Sequence, residues 1–238
     1  MDQLVSIIIP VYNQSQKLLR AVLDSIEKQI YDNLEVVVVD DGSEPAFNFQ
    51  TSDFRFPIEV LRQENMGAPV ARNKGFELSK GEYVIFWDAD IVGNPEMIEK
   101  MYSALEKNKE ASYSYCNFQF SIFNFQNKKM SSRLFDESEL KKNNFIHTTS
   151  LIRKDVFPRF DENLRRFQDW DLWLTMLEQG KKGVWIDEYL FSIVKSGRIS
   201  SWLPRIAYQK PLRWLPGVAG KVRKYEEGRE VVLRKHDL

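Results

Sequence analysis

The sequence predicts an α/β fold, a doubly wound, mostly parallel central sheet with flanking helices and a small antiparallel hairpin. Three observations predict it. Short β-branched runs alternate with stretches of helical periodicity. The runs are apolar throughout rather than at every second residue, as in strands covered on both faces. The chain has 238 residues, 43% of them hydrophobic, enough for one full core. Such alternation builds right-handed βαβ units whose ligand loops lie at the carboxyl ends of the strands.

The elements follow in order. Leu4 to Ile9 reads as the first strand, ended by Pro10, and Leu34 to Val39 as the second, ended by Asp40-Asp41-Gly42-Ser43. Between them Leu18, Leu19, Val22, Leu23 and Ile26 keep helical spacing over Gln16 to Gln29. A strand at Ile58 to Leu61, a helix at Ala68 to Leu78 and a strand at Tyr83 to Trp87 continue the pattern. Pro95 to Lys107 reads as a helix with proline near its first turn. Ala111 to Phe125 is an aromatic strand whose parity changes between Tyr115 and Phe118, which predicts a bulge or bend near Cys116-Asn117. A hairpin turning at Gln126 to Lys129 should follow, and the ribbon reads as core and edge packing rather than a sugar-stacking wall. Leu172, Trp173, Leu174, Met176 and Leu177 mark a last helix that stops at Gly180.

Composition excludes several classes of function. Lys plus Arg and Asp plus Glu each total 34, so no field for a polyanion is implied and nucleic acid is not an expected partner. The single Cys116 excludes an internal disulfide or cysteine-based zinc cluster, and His147 and His236 stand far apart in sequence. Met1-Asp2-Gln3 carries no basic leader region, and no apolar run is long enough to span a bilayer. A cytoplasmic location is expected. Residues 1–198 read as one domain and 199–238 as a C-terminal extension, in which Trp202 and Trp214 alternate with Arg205, Lys210, Arg213 and Lys221. That chemistry favours peripheral contact with the inner face of a membrane through 199–224. The competing reading is a segment folded back on the domain or used in a dimer.

The stretch carrying most chemistry is Asp88-Ala89-Asp90, placed where the apolar run Tyr83 to Phe86 stops. Residues i and i+2 of a strand share a face, so both carboxylates can aim at one spot beyond the sheet. Hard oxygen ligands suit Mg²⁺ or Mn²⁺, and a cation carrying a diphosphate would relieve the repulsion between two acids. The bland alternative is an exposed turn. Gln168-Asp169-Trp170-Asp171 opens the last helix, and Asp171 reads as its N-cap. His147 reads as a hydrogen-bonded structural residue rather than one facing an acceptor.

Five motifs occur in order: Pro10-Val11-Tyr12-Asn13, Asp40-Asp41-Gly42-Ser43, Asn65-Met66-Gly67 with Ala71-Arg72-Asn73-Lys74-Gly75, Asp88-Ala89-Asp90, and Asp169-Trp170-Asp171-Leu172-Trp173. Together, from about Leu4 to Ser200, they resemble glycosyltransferase family 2. That family's enzymes have the GT-A fold, use nucleotide-diphospho-sugars and usually invert the anomeric centre. The resemblance implies a donor site of Pro10, Tyr12, Asn13, Asp41, Gly67, Arg72, Asp88 and Ala89, with Tyr12 against the nucleobase and Asp41 reading a base-edge N–H. It implies that Asp90 ligates the metal, Mn²⁺ or Mg²⁺, and that Asp169 is the general base. Apart from the resemblance, Lys195 and Arg198, beside Ser196-Gly197, read equally as a lid over the diphosphate or as an ordinary solvated loop.

The expected donor is a nucleotide-diphospho-sugar, a UDP-sugar first, and the expected acceptor a glycan, polysaccharide or lipid-linked hydroxyl. Gln168 departs from the glutamate many relatives carry beside the base. A sugar nucleotidyltransferase is the rival enzyme, but it should carry a glycine-rich loop after the first strand, and Pro10 to Ser15 contains no glycine. A non-catalytic carbohydrate-binding module is the rival outside enzymes.

Overall fold

The computed structural model of the protein describes residues 2–46, 51–122, 125–194 and 218–238. Its elements run β1 (Val5–Val11), α1 (Gln16–Glu27), β2 (Leu34–Asp41), β3 (Ile58–Gln63), α2 (Ala68–Leu78), β4 (Tyr83–Phe86), β5 (Ile91–Gly93), α3 (Met97–Lys107), β6 (Tyr113–Ile122), β7 (Phe125–Met130), α4 (Glu137–Lys142), β8 (Leu151–Arg153), α5 (Gln168–Glu178), β9 (Gly183–Val194) and α6 (Ala219–Lys235). The strands form one sheet in the order β3-β2-β1-β4-β8-β6-β9-β5, with β7 paired to β6. The β3-β2-β1-β4 half is parallel. Antiparallel β8 joins it to the second half, where β6 and β9 are parallel.

The expected double winding is present, and the apolar runs explain it. Ile7, Ile9, Val36, Val38 and Ile85 pack on α1 and α3, whereas Ile8, Val37, Val39, Val84 and Phe86 pack on the side of α2 and α5. Strands β1, β2 and β4 therefore bury both faces. Helix α2 lies so close that a Cβ on Gly75 would meet Ile8 Cγ2 at 2.4 Å, which requires glycine there.

Four local expectations need correction. Strand β1 does not stop at Pro10 but runs to Val11. The Leu4 and Ile8 carbonyls face β4, so Pro10 shares that side, and β4 has already ended when the chain reaches it. The missing N–H is therefore not needed. Gln126 to Lys129 are not the turn of the hairpin but belong to β7, whose Phe125 pairs with Ile122 of β6. The bulge near Cys116-Asn117 does occur, as a register shift against β9.

The third correction concerns Asp88-Ala89-Asp90, which is a tight turn and not an extension of the strand. The Ile91 amide donates to the Asp88 carbonyl at 3.0 Å, and the Trp87 indole, fully buried, donates to the Ile91 carbonyl at 2.9 Å. The fourth concerns Asp171, which caps nothing. Phe167 is the N-cap of α5, and Asp171 lies inside the helix, buried, bonded to His236 Nε2 at 2.9 Å and to Lys235 Nζ at 2.8 Å. Helix α6 thus docks on α5, where Tyr225 meets Phe167 and the Arg229 guanidinium lies over Trp170. Residues 199–217, which carry most of the expected membrane-facing segment, lie outside the described residues.

Candidate active site

The site is built where the parallel half of the sheet ends. The loop after β2 is organised by its two acids. Asp40 Oδ1 accepts from the Ser43 amide at 2.9 Å, and its Oδ2 from Arg62 at 3.2 Å. Asp41 Oδ1 accepts from Gln63 Nε2 at 2.7 Å and the Met66 amide at 2.8 Å, while Oδ2 accepts from the Gly67 amide at 2.9 Å. A carboxylate accepts about four hydrogen bonds, so capacity remains at Oδ2 for a ligand N–H. Asn13, at φ +48°, ties the β1 loop to this one: its amide donates to Ser43 Oγ and its Oδ1 accepts from the Glu44 amide. Tyr12 beside it is 55% exposed. Gly67 begins α2 at φ +95°, and a Cβ there would touch only Pro69 Cδ at 3.8 Å, so conformation rather than space requires glycine.

From α2, buried Arg72 reaches the turn after β4 and donates to Asp88 Oδ1 at 2.6 Å. Its guanidinium lies over Phe160, and its buried Nε has no hydrogen-bond partner among the described residues. Burial pushes the Asp88 carboxyl up, but Arg72 and His147 outweigh it and hold the group below its ordinary value. Asp90 fares differently. Burial and the Asp88 charge push its pKa up to about 7, against the pull of its own backbone amide and of Arg72. The Val194 amide anchors the Asp90 carbonyl at 2.8 Å, tying the turn to β9.

Asp169 stands at the start of α5, and Asn144 Nδ2 donates to its Oδ2 at 2.7 Å. Burial raises its pKa, opposed by the Trp170 amide, His147, Arg72 and its own amide. His147 sits within electrostatic reach of Asp88, Asp169 and Arg72, and burial lowers its pKa. Its Nδ1 accepts from the Thr149 amide at 3.0 Å, so the neutral ring carries its proton on Nε2. Phe118 and Phe191, stacked at 5.3 Å, pack against that ring, so this part of the aromatic ribbon is packing, as expected.

Arg72, Asp88, His147 and Asp169 therefore form one electrostatic cluster, with Asp90 on its edge. Pro10 and Asp41 lie at the ends of β1 and β2, Tyr12 and Asn13 follow β1, Gly67 precedes α2, and Ala89 is the buried middle of the turn. Lys195 and Arg198 lie outside the described residues. Asn144 was missed by sequence reasoning, because a lone Asn in a loop carries no pattern of its own. Gln168, the departure noted above, turns away from Asp169 and donates to the Leu164 carbonyl at 2.8 Å.

Among the described residues, no group of three or more His, Cys, Asp or Glu side chains is arranged to hold a metal ion. Asp88 and Asp90 nevertheless fit a hard cation completed by other oxygens, since Mg²⁺ typically binds one or two carboxylates together with substrate phosphate and water. Burial first, and the Asp88 charge second, raise the Asp90 pKa, and such a cation would offset both. A cavity of about 630 Å³ lies away from this cluster, lined by residues including Gln3, Lys80, Glu82, Arg153 and Lys154. Its Arg153 and Lys154 already donate to the Ala111, Leu105 and Ser79 carbonyls, so it offers no comparable chemistry.

Comparison with known proteins points the same way. The family model described as Glycosyl transferase family 2 matches residues 6–161. An uncharacterized glycosyltransferase of Methanocaldococcus jannaschii is 27% identical over 222 residues, covering 87% of this chain and 76% of its own. Glycosyltransferase GlyG of Streptococcus pneumoniae is 31% identical over 198 residues, 71% of this chain, and the chain spans 63% of GlyG's length. Among solved structures, S. aureus TarS 1-349 in complex with UDP-GlcNAc superposes with a TM-score of 0.67 at 19% identity, over 92% of this chain and 66% of that one. The mannosyltransferase PcManGT from Pyrobaculum calidifontis, in complex with GDP-Man and Mn²⁺, gives 0.60 at 18%, over 84% of this chain and 59% of that one. At these identities the structural likeness is of fold.

Proposed function

Because the chain belongs to glycosyl transferase family 2, we propose that it transfers a sugar, with inversion, from a nucleotide-diphospho-sugar to a hydroxyl of a glycan, polysaccharide or lipid-linked acceptor. The observation that carries this reading is the turn after β4, where Asp88, paired with Arg72, and Asp90, its pKa raised by burial and by Asp88, present two carboxyl groups at the strand end. The donor complexes of TarS and PcManGT support a nucleotide-sugar, a UDP-sugar first.

Tyr12 would lie against the nucleobase and Asp41 Oδ2 accept its N–H, with Pro10, Asn13 and Gly67 shaping the loops around it. Asp90, with Asp88 beside it, would hold Mg²⁺ or Mn²⁺, which when bound offsets charge on the diphosphate. Arg72 and its Nε–H, without a hydrogen-bond partner among the described residues, add positive charge and a donor on the same side. Asp169 takes the proton of the acceptor hydroxyl as its oxygen bonds the anomeric carbon and the bond to phosphate oxygen breaks, the electron pair leaving with the nucleoside diphosphate. A carboxyl raised by burial is closer to the pH at which a base works best.

Lys195 and Arg198 complete the proposal as a diphosphate lid, and 199–224 as a peripheral contact with the cytoplasmic face of a membrane. No helix among the described residues is long and apolar enough to cross one.

Calorimetric titration of UDP, GDP and their sugars, with Mn²⁺ and with chelator, tests the reading. Binding that requires the metal and is lost in Asp90→Ala supports it. No binding of any nucleotide by the folded protein overturns it.

A further inference from the structure

We propose that Asn144 positions the Asp169 carboxylate for proton transfer, its amide Nδ2 holding Oδ2 while its own carbonyl is locked by the Ile146 backbone. The inference rests on the transferase reading and adds a residue to the same site. Asn144 Nδ2 donates to Asp169 Oδ2 at 2.7 Å, and the Ile146 amide donates to Asn144 Oδ1 at 3.0 Å. The second bond decides the orientation of the side-chain amide: with Oδ1 engaged by a backbone N–H, the NH₂ end must face the carboxylate. A side chain held at both ends loses little further freedom when the substrate binds, so the aim of the carboxylate is set beforehand.

The Trp170 amide and Asp169's own amide also favour the ionised carboxylate, but among the described residues Asn144 is the side chain that hydrogen-bonds it. Gln168, its chain neighbour, is turned to the Leu164 carbonyl. The charged groups facing Asp169 are His147, from the same loop as Asn144, and Arg72, from α2. Both act on its charge without a hydrogen bond to it among the described contacts. Asn144 is a neutral donor. It favours the ionised carboxylate, adds no charge of its own, and leaves acceptor capacity for a substrate hydroxyl.

Asn144→Ser isolates the effect, because the hydroxyl keeps an oxygen for the Ile146 amide, the NH₂ is lost and no charge is added beside Asp169. Carbon-13 NMR titration of the Asp169 carboxyl, assigned with Asp169→Asn, should show its midpoint moved up by roughly one pH unit or more. Nucleoside diphosphate release from UDP- and GDP-sugars, with water as acceptor, should show kcat about 10- to 100-fold lower, KM little changed and the acid limb of the pH profile moved upward. Thermal unfolding checks that the variant is folded. An Asn144 that merely pins its loop predicts that Asn144→Ser matches wild type while Asn144→Ala is impaired, and that result overturns the inference. An unchanged Asp169 midpoint beside an inactive Asp169→Asn overturns the role of Asn144 alone. An Asp169→Asn as active as wild type overturns the base assignment beneath it.

Discussion

Arg72 donates to Asp88 across 2.6 Å, joining the middle of helix α2 to the turn after β4. Arg72 is almost fully buried and Asp88 partly so, and among the described residues no cation forms an ion pair with the second acid, Asp90. The consequence is a site whose charge balance is incomplete until something positive arrives.

Removing Arg72 should therefore cost both stability and binding. Arg72→Ala leaves Asp88 facing a void, and losing one partner of a partly buried pair should cost about 2 kcal/mol in urea denaturation. Arg72→Lys should recover most of that stability but not nucleotide affinity, since a single ammonium cannot reproduce the planar fork. Equal affinity in Arg72→Lys and wild type would contradict a donor-binding role.

Asp90 makes two opposite predictions about pH. Its folded pKa, about 7, is raised above the ordinary 3.8, so the native state binds the proton more tightly than the unfolded one. That contribution to stability is complete below the ordinary value and is lost as pH rises through about 7. The metal-free protein should lose thermal stability from about pH 5 to 8, and Asp90→Asn should flatten that decline. Mn²⁺-dependent nucleotide binding should run the other way, weakening up to tenfold per unit below about pH 7 as the proton competes with the cation. Calorimetry at about pH 6 and 8 checks the second trend, and differential scanning the first.

Asp171 should matter to the fold and not to the donor. Asp171→Ala removes the buried carboxylate that His236 and Lys235 share, leaving His236 with Glu178 at the end of α5 and Lys235 with Asp161. A loss of about 2–3 kcal/mol is expected, together with faster amide hydrogen exchange across α6. Nucleotide affinity should stay at the wild-type value, and a large loss of affinity would mean that α6 does more than brace α5.

Gly67→Ala separates conformation from space. The added methyl meets nothing closer than 3.8 Å, so the cost is that of φ +95°, about 1–3 kcal/mol. Relaxing the strain would pull the Gly67 amide off Asp41 Oδ2 and weaken nucleotide binding, which titration of UDP and GDP would show. A variant as stable as wild type would mean that the loop tolerates another path.

Much of this was legible before any coordinates. The all-apolar runs of β1, β2 and β4 announced strands buried on both faces, and the spacing of Leu18, Val22 and Ile26 announced α1, because burial against two layers leaves a period in the sequence. The five ordered motifs put Asp41, Arg72, Asp88, Asp90 and Asp169 on the list of site residues, since turns and strand ends use short, local patterns.

Contacts between distant segments leave no such trace, and there the tertiary structure decided. Asp88 and Asp90 share a spot because the Trp87 indole and the Ile91 amide fold a turn, not because a strand alternates. Asp171 looked like a cap and is the anchor of a helix 64 residues away, since a carboxylate at a helix start reads the same whether it meets a backbone amide or a lysine. Asn144 was silent for the same reason: its meaning comes from Asp169, 25 residues further on. Local sequence determined the elements and the chemistry each loop carries. Which charges face one another, and so which acid holds its proton, was decided by packing, because Coulomb and desolvation energies depend on distance and burial that no spacing encodes.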